Sequence, residues 1–113
     1  MPRQPAESDA AGGSGLDGLD KLLEHRVRLG ICVLLSRHDE ISFSRFKQLL
    51  EETDGSLGVH LRKLEEAHYV AVRKEFLDRK PISWYSLTAD GREALLSHLD
   101  VLRRLINQAE TRR

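Results

Sequence analysis

Ser56, Val59, His60, Arg62 and Lys63 interleave with Leu57, Leu61 and Leu64, whose spacing of four and three is that of one helical face. With the leucines turned into a core, Ser56, Val59, His60 and Lys63 face solvent and Arg62 lies on a flank. Hydroxyl and imidazole groups exchange hydrogen bonds, an isopropyl group packs on a methyl, and cations bind anionic oxygens. Set in a DNA major groove, Ser56 and His60 would reach base edges, Val59 a thymine methyl, and Arg62 and Lys63 phosphate or guanine. Gly58 would let the same helix lie close to the groove. Farther on, Arg73, Lys74, Arg79 and Lys80 make the densest basic cluster of the chain, opposed locally by Glu75 and Asp78. Of these, Arg79 and Lys80 are the better candidates for phosphate or minor-groove contact. The formal net charge is 0, so attraction to a polyanion has to come from such a local surface and not from the chain as a whole.

Positioning these side chains requires a particular run of elements. Residues 1–15 are rich in Pro, Ala, Gly and Ser without apolar periodicity and are expected to form a flexible tail, leaving residues 16–113 as the domain. Leu19, Leu22, Leu23, Val27, Ile31, Leu34 and Leu35 predict one long helix, or two short ones broken near His25. Ser42 stands as an N-cap before Phe43, Phe46, Leu49 and Leu50, predicting a helix over about 43–51. Asp54, in the turn Thr53-Asp54-Gly55, is expected to cap the helix that carries Ser56 to Lys63 and ends near Ala67. From Tyr69 the period becomes two: residues 69–76 and 82–87 read as strands, and the polar connection 77–81, with Pro81, as the basic tip of a hairpin. Thr88 begins a final helix, with Glu93 favourable in its first turn and a seam of Leu95, Leu99, Leu102 and Ile106 spaced as in a coiled coil. The fold class is therefore mainly α with a small β-hairpin (α+β), in the order helix, helix, helix, hairpin, helix.

Composition removes several alternatives. A chain of 113 residues with 40% hydrophobic content supports one core. The single cysteine, Cys32, permits neither an internal disulfide nor a paired-cysteine metal site, and its apolar neighbours favour a buried structural thiol over a redox sensor. The 5 histidines have no spacing of three or four that would set two on one helical face, so no metal site is expected, sites shared between subunits aside. No apolar stretch outruns residues 31–35 and no secretion signal is visible, which points to a soluble, cytoplasmic protein away from membranes. No phosphate-cradling glycine loop, nucleophile elbow or paired-histidine motif is present; neither an enzyme nor a cofactor is expected. Trp84 and Tyr85 read as packing residues on a strand, one inward and one outward.

The stretch Ser42-Phe43-Ser44-Arg45-Phe46-Lys47-Gln48-Leu49-Leu50, then Asp54 through His60-Leu61-Arg62-Lys63-Leu64 to Val70, resembles the winged helix-turn-helix regulators of the MarR/ArsR-like group. The continuation from Arg79-Lys80-Pro81 to Thr88-Ala89-Asp90-Gly91-Arg92-Glu93-Ala94-Leu95 is similar to the wing and closing helix of their small, stand-alone members. The resemblance implies a homodimeric transcriptional regulator, often a repressor, that binds double-stranded DNA. His68 departs from the glycine common at that helix end, so a strained or shifted turn is expected there.

The dimer is expected to form around a two-fold axis from Leu16, Leu19, Leu22 and Leu23 of the first helix with Leu95, Leu99, Leu102 and Ile106 of the last; Leu96, Val101 and Leu105 widen that surface. Two reading helices about 34 Å apart would then face the halves of a palindromic operator. Against these expectations stand plainer ones. Arg62 and Lys63 would equally solvate an exposed helix, the basic hairpin tip would equally aid solubility, the last helix would equally fold back over a monomer, and the whole scaffold would equally serve a protein partner without touching DNA.

Overall fold

The computed structural model describes residues 15–111; apart from Gly15, the tail expected over residues 1–15 lies outside them, as do Arg112 and Arg113. Asp20 caps a single 3-10 turn, Lys21–Glu24, by accepting the Leu22 N–H at 2.8 Å. His25 then takes an extended conformation and caps α1, Arg26–Leu35, its Nδ1 accepting the Val27 N–H at 3.2 Å. The apolar run from Leu19 is thus two helical pieces with the break at His25. A two-residue strand β1, Ile41–Ser42, follows; so short a strand has no periodicity to betray it. Ser42 caps α2, Phe43–Leu50, by accepting the Arg45 N–H at 3.1 Å, and Glu51 closes that helix in the left-handed region at φ 53°.

The cap of α3, Asp54–Glu66, is Thr53 and not Asp54. Thr53 is extended and accepts the Ser56 N–H at 3.1 Å, which leaves the Asp54 carboxylate inside the first turn, favourable to the helix dipole. At the other end His68 sits at φ 65°, its N–H bonded to the Glu65 carbonyl and the Tyr69 N–H to the Leu64 carbonyl, both at 2.9 Å. This is a Schellman closure with histidine in the place glycine usually fills. The turn is therefore strained and not shifted.

β2, Val70–Leu77, and β3, Lys80–Leu87, pair antiparallel with Val72 opposite Tyr85 and Leu77 opposite Lys80. Only Asp78 and Arg79 connect them, at φ 52° and 68°, the two positive values of a type I′ turn. The expected connection over 77–81 is therefore too long. Leu77, Lys80 and Pro81 belong to the strands, and Pro81 is accommodated because β1 pairs with β3 only at Trp84 and Tyr85, in a sheet of order β1-β3-β2.

α4, Ala89–Glu110, starts at Thr88, whose hydroxyl accepts the Gly91 N–H at 2.9 Å and lies 2.6 Å from the His68 carbonyl and 3.1 Å from that of Tyr69. One core joins Leu23, Val27, Ile31, Cys32 and Leu35 to Phe46, to Leu57, Leu61 and Leu64, and to Leu95. A partly buried polar network ties its edges: the Asp20 N–H donates to His98 Nδ1 at 2.9 Å, and the Tyr69 hydroxyl donates to the Asp20 carboxylate at 2.5 Å. That bond to the carboxylate, with burial added, pushes the Tyr69 hydroxyl up to about 12. Burial, helped by the Asp20 charge, pushes the Cys32 thiol up to about 12, which makes it a poor nucleophile. Among the described residues no helix is long and apolar enough to cross a membrane.

Two substitutions test this junction. A Cβ on Gly91 would overlap the Tyr69 carbonyl and stand 2.8 Å from Leu87 Cδ1, so Gly91→Ala is expected to cost about 1–3 kcal/mol in thermal unfolding followed by circular dichroism. His68→Gly should act oppositely and raise stability by up to about 1 kcal/mol, because it removes the Cβ from a left-handed position.

Candidate nucleic-acid interface

Burial of Leu57, Leu61 and Leu64, none more than 1% exposed, decides which side chains α3 turns outward. Val59 is 46% exposed, and Arg62 and Lys63 are exposed beside it. Ser56 and His60 are half-buried and already engaged. The Ser56 hydroxyl donates to Glu52 Oε1 at 2.6 Å. At the mouth of the helix Lys47 pairs with Asp54 at 2.7 Å, both largely exposed.

His60 belongs to a cluster that crosses between two helices. Its ring lies 4.1 Å from that of His25, tilted by 41°, and its Nδ1 is 2.9 Å from Arg28 Nη1. Arg28 is in turn held by its Nε, which donates to the Leu22 carbonyl at 2.7 Å. Partial burial, followed by the neighbouring His25 and Arg28, holds the His60 imidazole below its ordinary range; Glu52 opposes and Lys63 adds to the effect. In the sequence Arg28 is not singled out, and His25 stands out only as the place where the first helical run breaks. They lie on α1 or its cap, far from α3 along the chain, and only the packing of α1 across α3 brings them to His60.

The basic hairpin does not form one patch. Alternation along β2 places Val72 and Lys74 on the side of the sheet that meets α3, where Lys74, Arg62, Gly58 and Ser83 line one cleft. Arg73 falls on the opposite side. There its guanidinium contacts both Glu40 oxygens at 2.8 and 3.0 Å and Glu75 at 3.1 Å, and lies 5.9 Å from the Trp84 ring centre. Trp84 Nε1 donates to the other Glu75 oxygen at 2.7 Å. The bond from Arg73 holds the Glu40 carboxyl below its usual range. The expectation that Arg73 joins the anion-binding cluster is therefore corrected: two carboxylates neutralise it on the far face. Arg79 in the turn and Lys80 beside it are exposed, together with Phe76 and Leu77, which are 77% and 58% exposed. In the sequence Phe76 falls on a strand and Leu77 in the polar connection, and neither is marked as an exposed apolar tip. Of the aromatic pair, Tyr85 turns inward with its ring 6.2 Å from that of Phe46, and Trp84 turns outward.

The expected dimer surface also divides. Leu23 and Leu95 are 0% and 1% exposed and lie in the core of the single chain, so neither is available to a partner; the helical repeat that groups them with the seam cannot distinguish a face covered from within from one covered from outside. Leu99 is half-buried against the same core. Leu19, Leu22 and Leu102 are half-buried, whereas Leu16, Leu96 and Ile106 are 52%, 59% and 55% exposed. The chain at Gly15 and Gly18 runs beside Leu105 and Val101 of α4, which brings the first and last segments together.

Comparison with known proteins agrees with this architecture. Residues 27–106 match the winged helix DNA-binding domain family. The uncharacterized protein MJ0432 of Methanocaldococcus jannaschii is 32% identical over 79 residues, 70% of this chain and 86% of its own length. The crystal structure of a transcriptional regulator homologue from Pyrococcus horikoshii OT3 is 31% identical and superposes with a TM-score of 0.74, covering 80% of this chain and 89% of that one. MarR, at 18% identity, shares the fold with a TM-score of 0.70 over 83% of this chain and 68% of its own.

The His60 environment predicts a pH dependence of stability. The folded chain disfavours protonation of His60, so as pH falls the unfolded chain takes up that proton first. The stabilisation is complete above about pH 6.5 and drains away as pH drops toward the lower folded-state value. The melting temperature should therefore fall between pH 7 and 5, and His60→Asn, which keeps an acceptor near Arg28 without titrating, should flatten that fall. Parallel profiles for the two proteins would contradict this.

Proposed function

The chain belongs to the winged helix DNA-binding domain family, and on that premise we propose that it is a sequence-specific transcriptional regulator that binds double-stranded DNA in the cytoplasm, as a homodimeric repressor on a palindromic operator. The observation that carries this reading is the run of exposed, unpaired cations that continues from α3 onto the hairpin. Among the described residues Arg62, Lys63, Lys74, Arg79 and Lys80 enter no ion pair, while Arg73, Lys47, Arg103 and Arg104 do. These five run along α3 and onto the hairpin; Lys21, Arg26, Arg28, Arg37, Arg45 and Arg92 also enter no ion pair and lie on other elements. Val59 and His60 supply the base-reading groups between them, and Ser56 joins once Glu52 releases its hydroxyl. Lys74, Arg79 and Lys80 hold phosphates or enter the minor groove.

Gly58 supports the same reading. A Cβ there would meet nothing within 4 Å, yet glycine within a helix costs about 1 kcal/mol relative to alanine. Nothing inside the chain requires the absence of a side chain; a groove wall lying against α3 would. Dimerisation is supported by Leu96, Leu102 and Ile106, which continue the α4 seam beyond the core, and by Leu16 near the same end. The apolar tip, Phe76 and Leu77, favours the second reading, a protein-binding module, because a protein partner would bury it.

Fluorescence anisotropy on operator DNA selected from a random pool separates the readings. Binding is expected to weaken steeply with salt, with Arg62→Ala lowering affinity about tenfold or more. A protein-binding module would show neither. Gly58→Ala should raise the melting temperature yet weaken DNA binding, and affinity that survives the stabilisation would argue against α3 as the reading helix. Light scattering should give a dimer for the wild type and a folded monomer for the double variant Leu102→Glu, Ile106→Glu; a monomeric wild type at micromolar concentration would refute the dimer.

A further inference from the structure

Arg28 does not belong to the reading helix, yet its guanidinium is aimed at that helix's most versatile hydrogen-bonding side chain. We propose that Arg28 is a positioning residue for sequence recognition, locking His60 in the tautomer that carries its proton on Nε2, so that His60 presents a hydrogen-bond donor, and never an acceptor, to the base it reads. The inference rests on the DNA-binding role proposed above and concerns what that site selects.

Donor and acceptor inventories decide which tautomer His60 adopts. A guanidinium has N–H donors and no acceptor, and it stays protonated at any pH a protein tolerates. With Arg28 Nη1 2.9 Å from His60 Nδ1, Nδ1 must offer its lone pair. A neutral imidazole carries one ring proton, which then resides on Nε2. Arg28 cannot readily swing away, because its Nε is engaged by the Leu22 carbonyl at 2.7 Å in the 3-10 turn. The adjoining His25 ring, 4.1 Å away, is constrained alike: its Nδ1 accepts the Val27 N–H that begins α1. The other charged groups that bear on His60 are Glu52, already bonded by the Ser56 hydroxyl, and Lys63. Among the described residues the only hydrogen bond at Nδ1 is the one with Arg28.

A free neutral histidine can read either kind of base edge by exchanging tautomers. A locked Nε2–H reads only acceptors: N7 or O6 of guanine, N7 of adenine, or O4 of thymine in the major groove. It discriminates against cytosine, whose N4 amino group is a donor. Protonation at low pH would place the second proton on Nδ1, facing the Arg28 guanidinium, and so would break the contact that aims the ring.

The test uses the whole chain. Long-range nitrogen–proton correlation spectra of the free protein near pH 7.5 should give the Nε2–H tautomer for His60, and a dominant Nδ1–H tautomer in the wild type would overturn the proposal without any variant. Arg28→Met should yield a tautomer mixture and relax the preference against cytosine at the position read by His60 by about fivefold, the worth of one hydrogen bond. Arg28→Lys, which still donates, should recover part of that preference. A melting-temperature change in Arg28→Met with tautomer and base preference intact would reduce Arg28 to a structural residue and refute the inference. If the wild type binds no DNA, the functional reading itself fails, and this one with it; if it binds DNA and Arg28→Met keeps the preference, only this inference fails.

Discussion

Burial of the leucine face of α3 is the constraint on which the rest of the molecule depends. Leu57, Leu61 and Leu64 are withdrawn from solvent against α1 and α2, and truncating any one of them to alanine would be worth about 2–5 kcal/mol. A loss of that size is a large part of the net stability of a domain this small. Rotating α3 about its axis to present other residues would expose that face, so its outward set is as fixed as its inward one. Val59, Arg62 and Lys63 are displayed because the leucines are not. His60, on the border between the two faces, is the side chain that can touch both the protein interior and whatever lies outside, and its contact with Arg28 is a consequence of that border position.

The second determinant is the junction at Tyr69. Within a few residues the chain ends α3, starts β2, and receives the start of α4, where Thr88 caps its own helix and reaches back to the carbonyls of His68 and Tyr69. Gly91 permits an approach that any side chain would block. The Tyr69 hydroxyl continues the network to Asp20, and Asp20 to His98 on α4. The 3-10 turn, the base of the hairpin and the last helix are thereby tied to one point. The histidine at φ 65° is a local cost borne within a densely bonded region, which is where such strain persists.

Much of this was legible in the sequence. Helical spacing located α1 to α4, Ser42 and Thr88 announced their helix starts, and the change of period at Tyr69 marked the hairpin. What could not be read had physical reasons. β1 is too short for a pattern, and Thr53 and Asp54 are both good caps, so that only backbone conformation decides between them. Type I′ geometry at Asp78 and Arg79 replaced a longer loop because the strands pair up to Leu77 and Lys80, and no residue type demanded that. At the candidate site, spacing gave Val59 and Lys63 as outward residues of α3 but did not show that Ser56 and His60 are half-buried or that Arg62 is exposed. It also assigned every cation of the hairpin to one surface, although alternation already separates Arg73 from Lys74. The contacts of Arg73 with Glu40 and of His60 with Arg28 join residues 33 and 32 positions apart, and pairings of that range have no signature in a single sequence. Leu23 and Leu95 failed as interface residues for a related reason: an apolar stripe says that a face is covered, not by what.

The pairing pattern also resolves how a chain with a formal net charge of 0 can carry a cationic surface. Acidic side chains are spent where they cancel local cations: Glu40 and Glu75 on Arg73, Asp100 on Arg103 and Arg104. Both of these sets lie away from the α3 side of the sheet, the first on its opposite face and the second along α4, whereas Glu65 lines the cleft beside Arg62 and Lys74, and Asp54 pairs with Lys47 at the start of α3. Arg62, Lys63 and Lys74 enter no ion pair on the side that α3 and the hairpin share, where they outnumber Glu65. Screening limits the reach of a charge to about 8 Å in physiological salt, so a polyanion approaching that side responds to the nearest cations and hardly at all to carboxylates on the far face. Neutrality of the whole and attraction at one surface are then compatible, and the ion pairs elsewhere contribute by holding Glu40, Glu75 and Asp100 away from that side.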